Sequence, residues 1–262
     1  MRIVFFGATD LGHRCCEALL AMGENVVGLL SIPREFRISY SPTLVRNVTF
    51  RGLEDLAAKH GIPLTYVTKK MNNPEYVAAI SALRPDFGLV VGWYHMIPRV
   101  IRDLFPKGVA GVHASLLPKY RGGAPLVWAM INGQQKTGVT LFYFADGVDT
   151  GDIIAQKVIE ISCADTIREV YEKASVVSAD LVRELVPLIR QGKAPRCPQN
   201  HALATQFPQR KPEDGLIDWT QPAEQIRNFI RAQTKPYPGA FTCLGGKKVI
   251  IWDADILQGT NE

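Results

Sequence analysis

The chain has 262 residues, of which 47% are hydrophobic and 21% charged, so it can bury a sizeable core and disorder is excluded. Its formal charge of +5, with Lys and Arg scattered, suits an anionic small ligand such as a nucleotide; a nucleic-acid groove needs a dense basic face. Five cysteines (Cys15, Cys16, Cys163, Cys197, Cys243) form no CxxC pair, no signal-peptide pattern opens the chain, and no apolar stretch reaches the roughly 18 residues of a membrane span. A soluble cytoplasmic protein, without metal or disulfide framework, is expected.

The opening "RIVFFG" is a continuous apolar run ended by glycine, as in a buried parallel strand. A helix follows, with Leu11, Cys15, Ala18, Leu19 and Met22 at helical spacing, and then a strand, "NVVGLLS". Residues 32–50 show no periodicity and read as a long loop. Next come a helix "RGLEDLAAKHG", a strand "IPLTYV", a helix ending before Pro85, a strand "DFGLVVG" and a short helix "MIPRVIRDLFP". "GVAGVHAS" is a strand and "APLVWAMING" a helix; "TGVTLFYFAD" and "DIIAQKVIEI" are strands close enough to be antiparallel neighbours. A long helix from Thr166 to about Gln191 carries an apolar stripe from Ile167 to Ile189, with Asp165 expected to cap its start.

This alternation predicts an α/β, Rossmann-like doubly wound domain over 1–192. Residues 193–210 are rich in proline and polar side chains and read as a linker. Residues 211–262, with one helix and two strands, form a small mixed α/β module.

Two stretches could carry chemistry. "GATDLG" invites a dinucleotide-binding reading, but Gly7 and Gly12 lack the middle glycine of GxGxxG, and Glu35 lies beyond the expected place of the ribose-binding acid. A plain strand-to-helix turn is expected there. The richer stretch runs from His113 to Asp152. His113 ends a strand, and Asp149 follows the next one in "FADGVDTGD". Two neighbouring strands would thus deliver an imidazole and a carboxylate to one sheet edge, where open parallel sheets bind ligands. The pair suits acyl transfer to an amine, which loses a proton while an oxyanion develops. On spacing alone, a core histidine and a turn-capping aspartate serve equally well as a reading.

"HASLLPKYRGGAP" followed by "TGVTLFYFADGVDTGDII" resembles the formyltransferase family that uses 10-formyltetrahydrofolate. "MRIVFFGATDLG", "RPDFGLVVGWYHMIPRVI", "FPQRKPEDGLIDW" and "KPYPGAFT" extend the resemblance over nearly the whole chain. It implies His113 and Asp149 as catalytic residues. It implies Trp93, Met96, Ile97, Asp146 and Gly147 around the folate donor, with His95 a bystander. Ser115, Lys119, Arg121, Gly122 and Gly123 would face the amine substrate; for Ser115, a loop hydrogen bond is the competing reading.

The family carries an asparagine two residues before the histidine, to hold the formyl oxygen; this chain has Gly111. Losing one such donor costs roughly a hundredfold or more in rate. Another donor takes over the oxyanion, or the substrates differ, or the protein is slow, inactive or altered by engineering, or the glycine only admits the ligand to the backbone. If the chemistry is ordinary, Gly111→Asn is expected to raise formylation. Within the family, the sugar N-formyltransferases are most similar, which implies a nucleotide-linked amino sugar as the substrate and a homodimer as the assembly. A methionyl-tRNA formyltransferase-like enzyme, a catalytically impaired binding relative and a nicotinamide oxidoreductase are the alternatives.

Overall fold

A computed structural model describes residues 1–38, 41 and 43–257. Its centre is a seven-stranded sheet in the order β10-β9-β7-β6-β1-β2-β5. β1 (Ile3–Gly7), β2 (Val26–Ser31), β5 (Leu64–Tyr66), β6 (Phe87–Val91) and β7 (Val109–His113) are parallel. β9 (Lys136–Tyr143) then runs antiparallel to β7, and β10 (Ile153–Glu160) antiparallel to β9. Strand order reverses beside β1, which opens a crevice at the carboxyl ends of β1 and β6. All five residues of β1 and of β6 are buried, as their unbroken apolar runs require for strands covered on both faces.

Helices α1 (Asp10–Ala21), α2 (Glu54–His60), α5 (Pro125–Ile131) and α6 (Ile167–Arg190) bury Leu19, Leu56, Met130 and Leu181 in one core, with Phe5 and Leu89 of the sheet. Helices α3 (Pro74–Ala82) and α4 (Arg99–Arg102) pack Ile80 and Ile101 on the other face, against Phe6 and Val90. The glycine turn after β1 is a packing device. A Cβ on Gly12 would stand 2.6 Å from the Val91 carbonyl oxygen, so its absence lets α1 press onto the sheet.

The 32–50 stretch holds more structure than its aperiodic sequence announces. A short ladder pairs β3 (Glu35–Phe36) with β4 (Val45–Arg46), and buried Asn47 donates to the Ala8 carbonyl at 2.7 Å. Glu35 lies in β3, 4.0 Å from Arg46. The cap of α6 also differs from expectation. Thr166 is the N-cap and forms a capping box with Glu169. Asp165, one residue earlier, accepts from the Ser162 amide and from Lys173 instead.

Beyond α6, residues 193–210 run along the domain's surface. Cys197 bridges to Ile153, and β11 (Gln206–Phe207) pairs in parallel with β8 (Arg121–Gly122). The last segment folds as α7 (Ala223–Arg231) against a hairpin of β12 (Ala240–Leu244) and β13 (Lys247–Ile251), around Ile217, Ile230 and Ala240. Among the described residues no helix is long and apolar enough to cross a membrane.

Candidate active site

His113 closes β7, and positions 111 and 113 share one face by strand alternation. The imidazole is 9% exposed. Its Nε2 donates to the Tyr120 carbonyl at 2.7 Å, which fixes a proton on that nitrogen and leaves Nδ1 for exchange. Nδ1 lies 3.6 Å from Asp149 Oδ2. The same carboxylate oxygen accepts from the Gly122 amide at 2.8 Å, so the loops that follow β7 and β9 meet at this pair.

The route by which Asp149 arrives differs from the one expected. Because β9 is antiparallel to β7, its last residue, Tyr143, pairs with Ala110 near the start of β7. The strand end therefore points away from His113, and the 144–152 loop must turn back. Asp149 is held in the left-handed region, at φ 52°, as are Tyr120 (58°) and Ala124 (48°) in the facing loop. Of the four described non-glycine residues with positive φ, three stand in this site, backbone strain concentrated where the loops converge.

The loop after β7 is braced from below. Ser115 is fully buried, and its hydroxyl donates to the Lys119 carbonyl, so Ser115 shapes the turn instead of facing a substrate. Thr140 donates to the Ser115 carbonyl at 2.6 Å, and Gln156 ties the Leu117 carbonyl at 2.8 Å. Gly122 and Gly123 are covered by the 206–209 segment. A Cβ on Gly122 would stand 2.3 Å from the Phe207 carbonyl oxygen, and one on Gly123 would stand 2.4 Å from Gln209 Cα. These glycines admit that segment; Gly122 meets the site through its amide. Lys119 is exposed.

Arg121 is 8% exposed and is held by Gln199 and His201. Its guanidinium donates to Gln199 Oε1 at 2.5 Å and meets His201 Nδ1 at 2.9 Å. Gln199 in turn donates to the carbonyls of Asp149 and Gly151, at 2.9 and 2.7 Å. One glutamine thus joins the cation, the Asp149 loop and the stretch expected to be a linker. Nothing in the aperiodic sequence around Gln199 signals this role, since its partners lie 48 to 78 residues away.

The residues expected around the folate donor fall into three groups. Trp93 and Ile97 pack with the core beside β6, with Ile97 4% exposed and Trp93 edge-on to Phe6 at 5.7 Å. Met96 is open to solvent at 63%. Asp146 is exposed and ion-paired with Arg102, which holds its carboxyl below the usual range; Gly147 forms the turn beside it, at φ 98°. Trp93 Nε1 and His95 Nε2 are buried without a hydrogen-bond partner. Burial also lowers the His95 pKa, so the ring is neutral at neutral pH. Two orphan polar atoms within an aromatic cluster fit a heteroaromatic ring that offers donors and acceptors, as a pterin does.

The position two residues before His113 is filled, though not by its own side chain. A Cβ on Gly111 would stand 2.4 and 2.7 Å from Cε1 and Cζ of Phe144, and 3.0 Å from the Val90 carbonyl oxygen. Phe144 packs at 5.2 Å against Phe142, whose ring lies edge-on to the His113 imidazole at 6.5 Å.

A doubly wound α/β domain presenting His–carboxylate chemistry at the carboxyl end of a sheet strand is the framework of a group-transfer enzyme. The formyl transferase family model matches residues 1–184, and the model of its C-terminal domain matches residues 210–262. The chain belongs to this family and is a formyltransferase. It is 37% identical over 252 residues to the methionyl-tRNA formyltransferase of Geotalea uraniireducens, covering 96% of this chain and 78% of that one. A sugar N-formyltransferase from Shewanella shares the fold at a TM-score of 0.75 and 16% identity, over 98% of this chain and 99% of the other. HypX from Aquifex aeolicus matches at 0.70 and 18% identity over 99% of this chain, which spans only 41% of HypX. HypX has also been solved with tetrahydrofolic acid. The formyl donor of the family is a formylated tetrahydrofolate.

Proposed function

We propose that the chain transfers a formyl group from 10-formyltetrahydrofolate to the amine of a nucleotide-linked amino sugar, with His113 and Asp149 as the catalytic residues. The observation that supports this most is the 3.6 Å approach of His113 Nδ1 to Asp149 Oδ2 in a loop-lined site. The donor supplies the activated formyl carbon. Trp93, His95 and Ile97 would line its ring, with Met96 and the Asp146–Gly147 turn closing over it. Lys119 and Arg121 would lie toward the anionic acceptor.

In this reading the acceptor amine forms a C–N bond with the formyl carbon as the bond from that carbon to N10 breaks. With a second proton on Nδ1, beside the Asp149 carboxylate, His113 donates from that nitrogen to the formyl oxygen as charge builds there. Asp149, through water, takes the proton the amine loses and returns it through water to N10, so tetrahydrofolate departs with that proton and the carboxylate is restored. The products are the formamide and tetrahydrofolate.

Residues 211–262 carry six Lys and Arg against seven Asp and Glu. Glu213, Asp214 and Asp218 at the start of this segment are exposed. Such a surface favours a nucleotide sugar over tRNA, whose affinity leans on phosphate-contacting cations. The 37% identity to a methionyl-tRNA formyltransferase favours the second reading, charged initiator tRNA as the acceptor. The division into a catalytic unit at 1–192, a connecting segment at 193–210 and a module at 211–262, a homodimer, and a cytoplasmic setting belong to the same proposal.

The test is an assay of 10-formyltetrahydrofolate consumption with a panel of nucleotide-linked amino sugars and, separately, with charged initiator tRNA. Turnover with a sugar and none with tRNA is expected. The reverse pattern replaces the sugar by tRNA, and turnover with neither overturns the proposal.

A further inference from the structure

Gly111 and Phe144 form a steric pair. The ring edge of Phe144 fills the space where a side chain at position 111 would begin, with Cε1 and Cζ at 2.4 and 2.7 Å from the Cβ site. The Val90 carbonyl oxygen also stands 3.0 Å from that site, so backbone as well as ring crowds an added side chain. Phe144 is itself seated: its amide donates to the Val109 carbonyl at 2.8 Å, and its ring packs on Phe142 and on the core beside β6.

We infer that Phe144 is a positioning residue that replaces, in volume but not in hydrogen bonding, the side chain missing at Gly111. It thereby commits stabilisation of the formyl oxygen to His113. The inference rests on the formyl-transfer reading above and goes beyond it in two respects. The empty position is not a vacancy that an asparagine can enter, and restoring the amide requires shortening Phe144 first. Through Phe142, the same ring also forms part of the wall against which the imidazole stands. The expectation that Gly111→Asn raises activity is therefore reversed for the single substitution.

Leucine at 144 is the informative partner, because it keeps an apolar wall while deleting the two ring atoms that meet the Cβ site. The experiment compares the wild type, Gly111→Asn, Phe144→Leu and the double variant, with kcat and KM for the folate donor measured on the acceptor the wild type uses. Gly111→Asn alone is expected to lower kcat by about tenfold or more, since overpacking displaces the reacting groups. The double variant is expected to recover at least that loss in kcat with little change in KM. In the double variant, His113→Gln should cost about tenfold less than in the wild type, because a second donor then shares the oxyanion. A Gly111→Asn enzyme as active as the wild type overturns the inference, as does a double variant no better than Gly111→Asn.

If the wild type formylates no acceptor, the functional reading has failed, and the pair is judged separately. Thermal midpoint and binding of 5-formyltetrahydrofolate should both fall in Gly111→Asn and return in the double variant. Without that return the steric pair is refuted on its own terms.

Discussion

His113 Nδ1 lies 3.6 Å from Asp149 Oδ2, although the strands that lead to these residues run in opposite directions. The carboxylate is delivered by a loop held in place, with Asp149 at a positive φ of 52° and its side chain anchored on the Gly122 amide. Asparagine tolerates the left-handed region and keeps the acceptor oxygen, so Asp149→Asn should preserve the loop while removing the base. A fall in kcat of about 10²- to 10⁴-fold is expected, with the thermal midpoint nearly unchanged. His113→Gln should fall in the same range. Retention of more than a tenth of wild-type kcat in either variant would remove that residue from the mechanism.

Gln199 is the residue on which the site's loops depend. It accepts from Arg121 and donates to the carbonyls of Asp149 and Gly151. Gln199→Glu keeps an acceptor for the guanidinium and forfeits both donors, whereas Gln199→Leu forfeits everything and leaves a buried cation. We expect Gln199→Glu to lower kcat at least about tenfold through the Asp149 loop. It should retain more stability than Gln199→Leu, by about 1–3 kcal/mol. Denaturant unfolding of the pair measures the second effect. Equal stability of the two variants would show that Arg121 does not need its oxygen partner.

Much of the fold was legible because β1, β2, β6 and β7 are short apolar runs bounded by turn residues, and α6 carries a long unbroken apolar stripe. The meeting of His113 and Asp149 at one site was legible through the family resemblance, whereas their spacing alone left a core histidine and a turn-capping aspartate equally open. Three features were not. The sheet's change to antiparallel at β9 leaves no local mark, because the apolar run that builds β9 reads the same in either direction. Gln199 acts through partners far away in sequence, so no periodicity points to it. Phe144 reads as one more strand residue, and only the backbone position of Gly111 reveals what its ring displaces. The misplaced cap at α6 is a smaller case, since Asp165 and Thr166 are both good N-caps and only the backbone decides between them.

Arg231 pins α7 to the turn that precedes α6. It is 9% exposed and donates to the carbonyls of Ser162 and Asp165, at 2.8 and 2.9 Å. Arg231→Met preserves most of the volume while leaving those carbonyls without a partner. A loss of about 2–4 kcal/mol is expected, with faster amide exchange in α7 and little change in kcat. Unaltered exchange in α7 would show that the segment is held by its apolar contacts alone.

Asp165 gives the same junction a pH dependence. Burial pushes its carboxyl upward, but the hydrogen bonds from Lys173 and the Ser162 amide, together with the Lys173 charge, outweigh it and hold the pKa below the usual value. A carboxyl depressed in the folded state adds stability that is fully present above its unfolded value, about 3.9, and is lost as pH falls through the folded value. Other carboxyls, including those of Asp55 and Glu169, are also depressed, so acid weakens the whole protein and the wild type alone cannot isolate one group. The difference between wild type and Asp165→Asn can. In urea unfolding the variant should be less stable at pH 6, and the gap should narrow below about pH 4, closing as the wild-type carboxyl becomes protonated. A gap that stays constant across this range would mean that Asp165 acts through its shape and neutral hydrogen bonds, with its charge contributing nothing.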